Sequence, residues 1–406
     1  MKNSNQTGFW CLLIIVIFAV WLYPKNNILS HIMYLFDENN IVANFRSFDS
    51  IWPINALEAP AKKYLYRKGT KLDLPKNFIF NGYVYETRKF LEDSWTTGFL
   101  VIQNDNIVFE NYYLGNTAST RNISWSIAKS FISALVGIAV KEEHIKSISQ
   151  KVEAYVPELV GSSYEGVRIK DVLQMSTGVK FNEDYGDIHS DINRWGKGFA
   201  LGHSQDAFAA TLGRQFEPGT VNHYVSINTH VLGMILTRAT GKSITSYMQE
   251  KLYNPMGMEH NGYWLVDGTG MEMALGGLNL TMRDYAKIGT LYLKKGYMNG
   301  KQIIPKKWVE SSITPDAPHI KPGNEFGYGY QWWIPKGNDG EFMAIGVYNQ
   351  NIYINPKTNT VIVKLSANPK YNDSSYVPSS DYAALELYRA IVASLPIIKK
   401  RVKFKF

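Results

Sequence analysis

The 406-residue chain has one cysteine, Cys11, so no disulfide can form within it, and cysteine usage cannot identify the redox compartment. A G-x-S-x-G motif is missing too. The histidines, His223 and His230 included, thus lack a partner serine in that strand-to-helix elbow, and a Ser-His-Asp triad is a poor competitor. The basic residues form no run before the tail Lys399, Lys400, Arg401, Lys403, Lys405, so the net charge of +8 comes with no motif for nucleic acid. Internal repeats and low-complexity blocks are also lacking. What remains is 45% apolar, too hydrophobic for disorder and long enough to bury one large core or two lobes, so a globular protein is expected.

One apolar run, residues 9–23, follows Lys2 and a polar start, with no small-residue cleavage site before Pro24, Lys25, Asn26 and Asn27. That pattern predicts an uncleaved membrane anchor over 1–24 rather than a removed signal peptide, although the run is slightly short for a span of roughly 17 to 25 residues. Cys11 begins the apolar stretch instead of ending it, which argues against a lipoprotein signal. The charges flanking the run, Lys2 and the amino terminus against Lys25, place the rest of the chain outside the cytoplasm, on the periplasmic side of an inner membrane. The basic tail over 399–406 alternates with Val402, Phe404 and Phe406, a pattern that can rest on a membrane surface, although a solvated end is commoner.

Residues 25–95, of mixed polarity and interrupted by Pro53, Pro60 and Pro75, read as an irregular stalk or extension. Two β-rich runs, 98–103 and 106–112, are separated by the turn formers Asn104 and Asp105 and predict a hairpin. From 126 to 142 the apolar positions Ile127, Phe131, Leu135, Ile138 and Ala139 recur at helical spacing. The region 145–263 reads as helices and loops, with helices over 169–175, 206–212 and 228–239. Strands return at 327–334, 350–355 and 361–366, before a final helix over 381–395. Strands at both ends with a helical insertion between them predict an α+β domain over 96–398 whose sheet joins distant parts of the chain. The alternating Phe326, Tyr328, Tyr330, Trp332 and Trp333 read as core-facing residues and are not assigned to a site.

Ser126-Ile127-Ala128-Lys129 is S-x-x-K at a predicted helix start, which puts hydroxyl and amine on neighbouring positions of one face. A serine hydroxyl is a poor nucleophile. A lysine held nearby in a dry site can lose its charge, from a free value of about 10.4, and then accept the hydroxyl proton. The helix start adds N–H groups that favour negative charge. Alone, S-x-x-K is expected by chance about once or twice in a chain this long, and a helix-start serine beside a surface lysine is the bland reading. Asp187, His189 and Asp191 alternate as metal ligands could, but such loop residues are much more often solvated, and no metal is expected.

The surroundings of that motif are more specific. Residues 121–131, with Gly137 and Ala139, resemble the nucleophile helix of the class C β-lactamase-like serine hydrolases. Further landmarks follow in order: Tyr155-Val156-Pro157-Glu158-Leu159, Ile169 to Gly178, Glu217-Pro218-Gly219, Tyr224-Val225-Ser226-Ile227-Asn228, Gly276-Gly277-Leu278 and Met282 to Lys287. The tyrosine segment is similar to the Y-S-S-x-N/D form of the 6-aminohexanoate-dimer hydrolase and esterase branch. The resemblance implies a β-lactamase/transpeptidase-like fold, an antiparallel sheet flanked by helices with a mostly helical inserted region. It also implies an acyl-enzyme mechanism in which Tyr224 relays protons between Ser126, Lys129 and the leaving group, favoured as phenolate by nearby positive charge, without any cofactor. The backbone N–H groups of Ser126 and Val347 are the implied oxyanion hole, with Tyr185 and Asn228 as substrate contacts. One departure stands out: where β-lactamases carry K-T-G, this chain has Gly346-Val347-Tyr348-Asn349-Gln350, with no cation, and Asn349 replaces the branch's usual glycine. A small ester or amide is the implied substrate. A penicillin-binding D-Ala-D-Ala peptidase or weak β-lactamase, and a membrane sensor without turnover, are the alternatives.

Overall fold

The computed structural model describes residues 34–318, 326–337 and 339–395. The expected anchor over 1–24 and the basic tail over 399–406 lie outside the described residues. Among those described, no helix is long and apolar enough to cross a membrane.

The α+β architecture expected from the sequence is present. Its main sheet uses β1 (Arg67–Lys68), β2 (Thr96–Gln103), β3 (Asn106–Tyr112), β4 (Phe326–Tyr328), β5 (Trp333–Pro335), β6 (Phe342–Gly346), β7 (Gln350–Asn355) and β8 (Thr360–Ser366), in the spatial order β4-β5-β6-β7-β8-β2-β3-β1. All pairings are antiparallel except β1 with β3. The β2–β3 hairpin turns where expected: Asn104 and Asp105 take φ of 51° and 61°, a left-handed pair that these residue types tolerate. Strands β2, β7 and β8 are buried along their whole length, so the sheet is covered on both faces. Strand alternation then sorts the side chains. Leu100, Ile102, Ile354 and Val363 enter one core with helices α1 (Ala128–Lys141), α2 (Ser226–Thr240) and α3 (Met282–Leu293), while Phe99, Val101, Tyr353 and Ile362 enter another under α4 (Asp381–Ser394).

Helix α1 differs in kind from the one-faced helix its spacing predicts. Every residue from Ala128 to Ala139 is buried, because the helix packs along α2 and sets Phe131 against Tyr285 of α3 instead of lying on a surface. The stretch 327–334, read as one strand, is two, with Tyr328 opposite Trp333. Between them Gln331 has φ of 62°, and Gly329 sits so close to the Ser312 carbonyl that a Cβ would lie 2.1 Å from its oxygen. Alternating aromatics conceal such a reversal, since both arms bury the same kind of side chain.

Within 25–95, the described residues pack onto the domain as short helices and strands joined by irregular stretches such as 58–66 and 69–76. Ile41, Phe45, Phe48, Trp52 and Leu57 are buried in the larger core, where each contributes roughly 1.5–3 kcal/mol of apolar burial. The segment Ile54–Leu57 pairs antiparallel with Gly262–Leu265 at the edge of a second sheet. That sheet also contains Leu278–Leu280 and Asn122–Ile123, the strand that leads directly into Ser126.

Candidate active site

From Asn122–Ile123 the chain passes through a single 3-10 turn, Trp125–Ile127, into α1. Trp125 takes φ of 44°, a left-handed backbone that costs a bulky residue of order 1–3 kcal/mol. Its ring is held by aromatic contacts to Phe45 at 5.3 Å and Tyr348 at 5.5 Å, and the Ser124 N–H bonds the Leu278 carbonyl at 2.7 Å. The result presents Ser126 at the head of α1, nearly buried and making no capping bond to the helix. Its hydroxyl accepts a hydrogen bond from Lys129 Nζ at 2.9 Å instead.

Lys129 is 2% exposed and donates a second bond to the Leu275 carbonyl at 2.7 Å. Burial lowers its pKa to about 7, with the carboxyl of Glu183 pulling the other way. An amine in that range is half free to take a proton at neutral pH, which an exposed lysine is not. The bland reading of a surface lysine is excluded by its burial.

Tyr224 lies two residues ahead of α2, with its phenol beside the hydroxyls of Ser126 and Ser226 and its ring 5.5 Å from Lys129 Nζ. Trp333 stacks on that ring at 5.4 Å and Tyr328 meets it edge-on at 6.3 Å. Burial, then the nearby Glu183, push the phenol well above its ordinary value. The expectation of a phenolate is therefore corrected: Tyr224 is a neutral hydroxyl, suited to relay a proton and not to hold a charge. Trp333 and Tyr328 come from the aromatic run whose alternation predicts core packing. The run is indeed largely buried, yet two of its members form the wall behind Tyr224.

The β6–β7 hairpin brings the implied oxyanion turn to Ser126. Gly346 pairs with Gln350, leaving Val347, Tyr348 and Asn349 as the loop. A Cβ on Gly346 would lie 2.9 Å from Ser124 O and 3.2 Å from Ser126 N, so the start of this turn runs against the backbone of the serine. Asn349 has φ of 63°, which asparagine tolerates better than most residues. Its side chain donates to the Ser379 carbonyl at 2.9 Å and accepts from Asn368 at 2.7 Å. A glycine could make neither bond, so the departure from the branch pattern carries its own fastening.

The two expected substrate contacts separate. Tyr185 is half-buried at the edge of the site, its hydroxyl donating to Glu183 at 3.0 Å and its ring meeting Tyr371 at 5.8 Å. Asn228 is fully buried, accepts from Tyr164 at 2.9 Å and Thr177 at 3.1 Å, and donates to Met175 Sδ at 3.5 Å. Its polar groups are consumed inside the helical region, so the geometry does not present it to a substrate.

Two residues that sequence reading passed over organise the site. Glu183 stands in a polar loop two residues before Tyr185, where a single glutamate carries no signal in the sequence. Its carboxyl accepts from the Ser226 N–H at 2.9 Å, from the Ser226 hydroxyl and from Tyr185. Gln331, buried in its left-handed turn, accepts from Ser130 of α1 at 2.8 Å through its carbonyl and from Thr229 of α2 at 2.7 Å through its side chain. It also donates to Leu173 O at 2.8 Å, tying α1 and α2 to Ile169–Leu173. Elsewhere, Asp187 and Asp191 bond to nearby loop groups, and no cluster of three metal-ligating residues occurs among the described residues. His230 pairs with Asp206 at 2.7 Å and His223 with the Phe181 carbonyl at 3.0 Å.

Comparison with known proteins places these features in context. A family model described as Beta-lactamase matches residues 88–379. A 6-aminohexanoate-dimer hydrolase of Paenarthrobacter ureafaciens is 30% identical over 316 residues, covering 75% of this chain and 80% of that protein. A solved Bacillus anthracis structure, named as a candidate 6-aminohexanoate-dimer hydrolase, has a TM-score of 0.78 at 26% identity, over 88% of this chain and 95% of its own. A penicillin-binding protein from Bacillus halodurans shares the fold at 16% identity, with a TM-score of 0.59 over 76% of this chain and 99% of its own.

Proposed function

The chain belongs to the beta-lactamase family, and on that premise we propose that it is a serine hydrolase cleaving a small ester or amide through an acyl-enzyme. The observation that carries this reading is the 2.9 Å contact between Lys129 Nζ and Ser126 Oγ, with the amine buried. Ser126 Oγ attacks the substrate carbonyl carbon while its proton passes to the neutral amine of Lys129. The developing oxyanion accepts hydrogen bonds from the backbone N–H groups of Ser126 and Val347. As the tetrahedral intermediate collapses, the Lys129 proton travels through the Tyr224 hydroxyl to the leaving oxygen or nitrogen, and the carbon–leaving-group bond breaks. Water then repeats the attack on the acyl-serine, with the same groups moving its proton back to Ser126. The steps need neither metal nor organic cofactor.

Substrate class follows from charge. The K-T-G lysine that would hold an anionic group is replaced by an uncharged turn, and a carboxyl, Glu183, lies close to the nucleophile's lysine. Both features favour a neutral or cationic substrate over a penicillin-like anion. The name of the 30%-identical relative adds short linear amides to the panel. The test is hydrolysis of short-chain p-nitrophenyl esters, comparing wild type with Ser126→Ala. Turnover by wild type alone, with the variant folded, is the expected result. Turnover retained in Ser126→Ala would overturn the assignment, and stable acylation by penicillin without ester or amide turnover would favour the cell-wall peptidase reading.

A further inference from the structure

Glu183 reaches the candidate site from the loop that joins the helices Ile169–Leu173 and Asp191–Ala200, and neither S-x-x-K nor the tyrosine motif calls for a carboxyl there. Three donors converge on it: the Ser226 N–H, the Ser226 hydroxyl and the Tyr185 hydroxyl. Ser226 is the first residue of α2, so its N–H is one of the donors that a helix start leaves unpaired, and Glu183 caps it from outside the helix. Burial raises the Glu183 pKa above the ordinary carboxylate value, and Lys129, then the donors from Ser226 and Tyr185, oppose that rise by favouring the ionised form. The cation facing it is Lys129. The other titratable groups around it are the phenols Tyr185, Tyr224, Tyr328 and Tyr371, with Asp184 on its own loop.

Resting on the reading of Ser126 as nucleophile and Lys129 as base, we propose that Glu183 is a positioning residue with two linked tasks. It fixes the start of α2, and through it Tyr224 two residues earlier. It also supplies the counter-charge for the ammonium that Lys129 becomes on taking the Ser126 proton. In a dry site that ammonium has no water to solvate it, so a fixed carboxylate stabilises the charged state on which the forward step depends. The same field keeps Lys129 basic enough to accept the proton at all.

The experiment is the pH dependence of kcat/KM for a p-nitrophenyl ester in wild type, Glu183→Gln and Glu183→Asp. Removing the negative charge makes Lys129 easier to deprotonate and a weaker base. Glu183→Gln is therefore expected to move the acid limb to lower pH by about one unit and to lower the plateau about 10- to 100-fold. Glu183→Asp keeps the charge, so its limb stays at the wild-type position although the rate falls with the displaced hydrogen bonds. A purely structural glutamate would lower kcat in both variants without moving either limb. Should Glu183→Gln fail to fold, Ser226→Ala removes one donor from the carboxylate and moves the limb the same way by less. An unmoved limb in an active, folded variant overturns the proposal, whereas inactivity of wild type itself would instead overturn the hydrolase reading on which it rests.

Discussion

Replacing Lys129 by methionine is expected to raise stability at neutral pH while removing activity. Burial takes the amine from 10.5 to about 7, which corresponds to about 5 kcal/mol held against the folded state when the group is charged. The folded value lies below the unfolded one, so the unfolded chain binds the proton more tightly. The cost is fully present below about pH 7, shrinks as pH rises, and is gone above about 10.5. Against it stand the hydrogen bonds to Leu275 O and Ser126 Oγ, together worth about 2 kcal/mol. Methionine is unbranched and of similar length, so it fills the space without leaving a large cavity. The balance favours Lys129→Met by about 2 kcal/mol near pH 7, with the advantage fading or reversing toward pH 10.5. Urea unfolding over about pH 6 to 10, run beside turnover of a p-nitrophenyl ester, reads both quantities. Activity should fall at least about 1,000-fold, because a thioether cannot accept the serine proton. A variant less stable than wild type near pH 7, an advantage that grows with pH, or turnover within tenfold of wild type would refute this reasoning.

Three further outcomes follow from the geometry. On the proposed mechanism Tyr224→Phe removes the relay but keeps the ring on Trp333, so kcat should drop about 100- to 10,000-fold with the melting temperature nearly unchanged. Gly346→Ala puts a methyl 2.9 Å from Ser124 O and 3.2 Å from Ser126 N; steady-state kinetics should show kcat down about 100-fold with KM little altered, as expected when an oxyanion donor shifts. Asn349→Ala loses both side-chain bonds at a left-handed position and should destabilise by about 2–3 kcal/mol in denaturant unfolding, whereas Asn349→Gly, which keeps the turn, should cost less.

Some of the molecule was legible along the chain. The Asn104-Asp105 turn, the β-rich runs on either side of it, the helices near 169, 206 and 228 and the long α1 all carry local signals, because turn chemistry and burial periodicity are properties of neighbouring residues. The S-x-x-K spacing belongs to the same class: three positions apart on one helix, serine and lysine meet wherever the helix forms. The strand reversal at Gln331 was not legible, since alternating aromatics look alike in one strand or two. Nor was the fate of Asn228, whose motif position says nothing about the Tyr164 and Thr177 hydroxyls that consume its side chain.

Sequence by itself thus determined the α+β class, the helix that carries Ser126 and Lys129, and the absence of a cation in the turn that ends in Asn349. Tertiary structure alone decided that Lys129 is dry, that Glu183 faces it from 54 positions further along the chain, that Trp333 stands behind Tyr224, and that Gly346 lies against the serine backbone. The reason is the range of the forces. Helix phase and turn type are set by dihedral sterics over a few residues, whereas a pKa depends on which groups exclude water and which charges come near, and those are brought together only when the sheet closes over the helices.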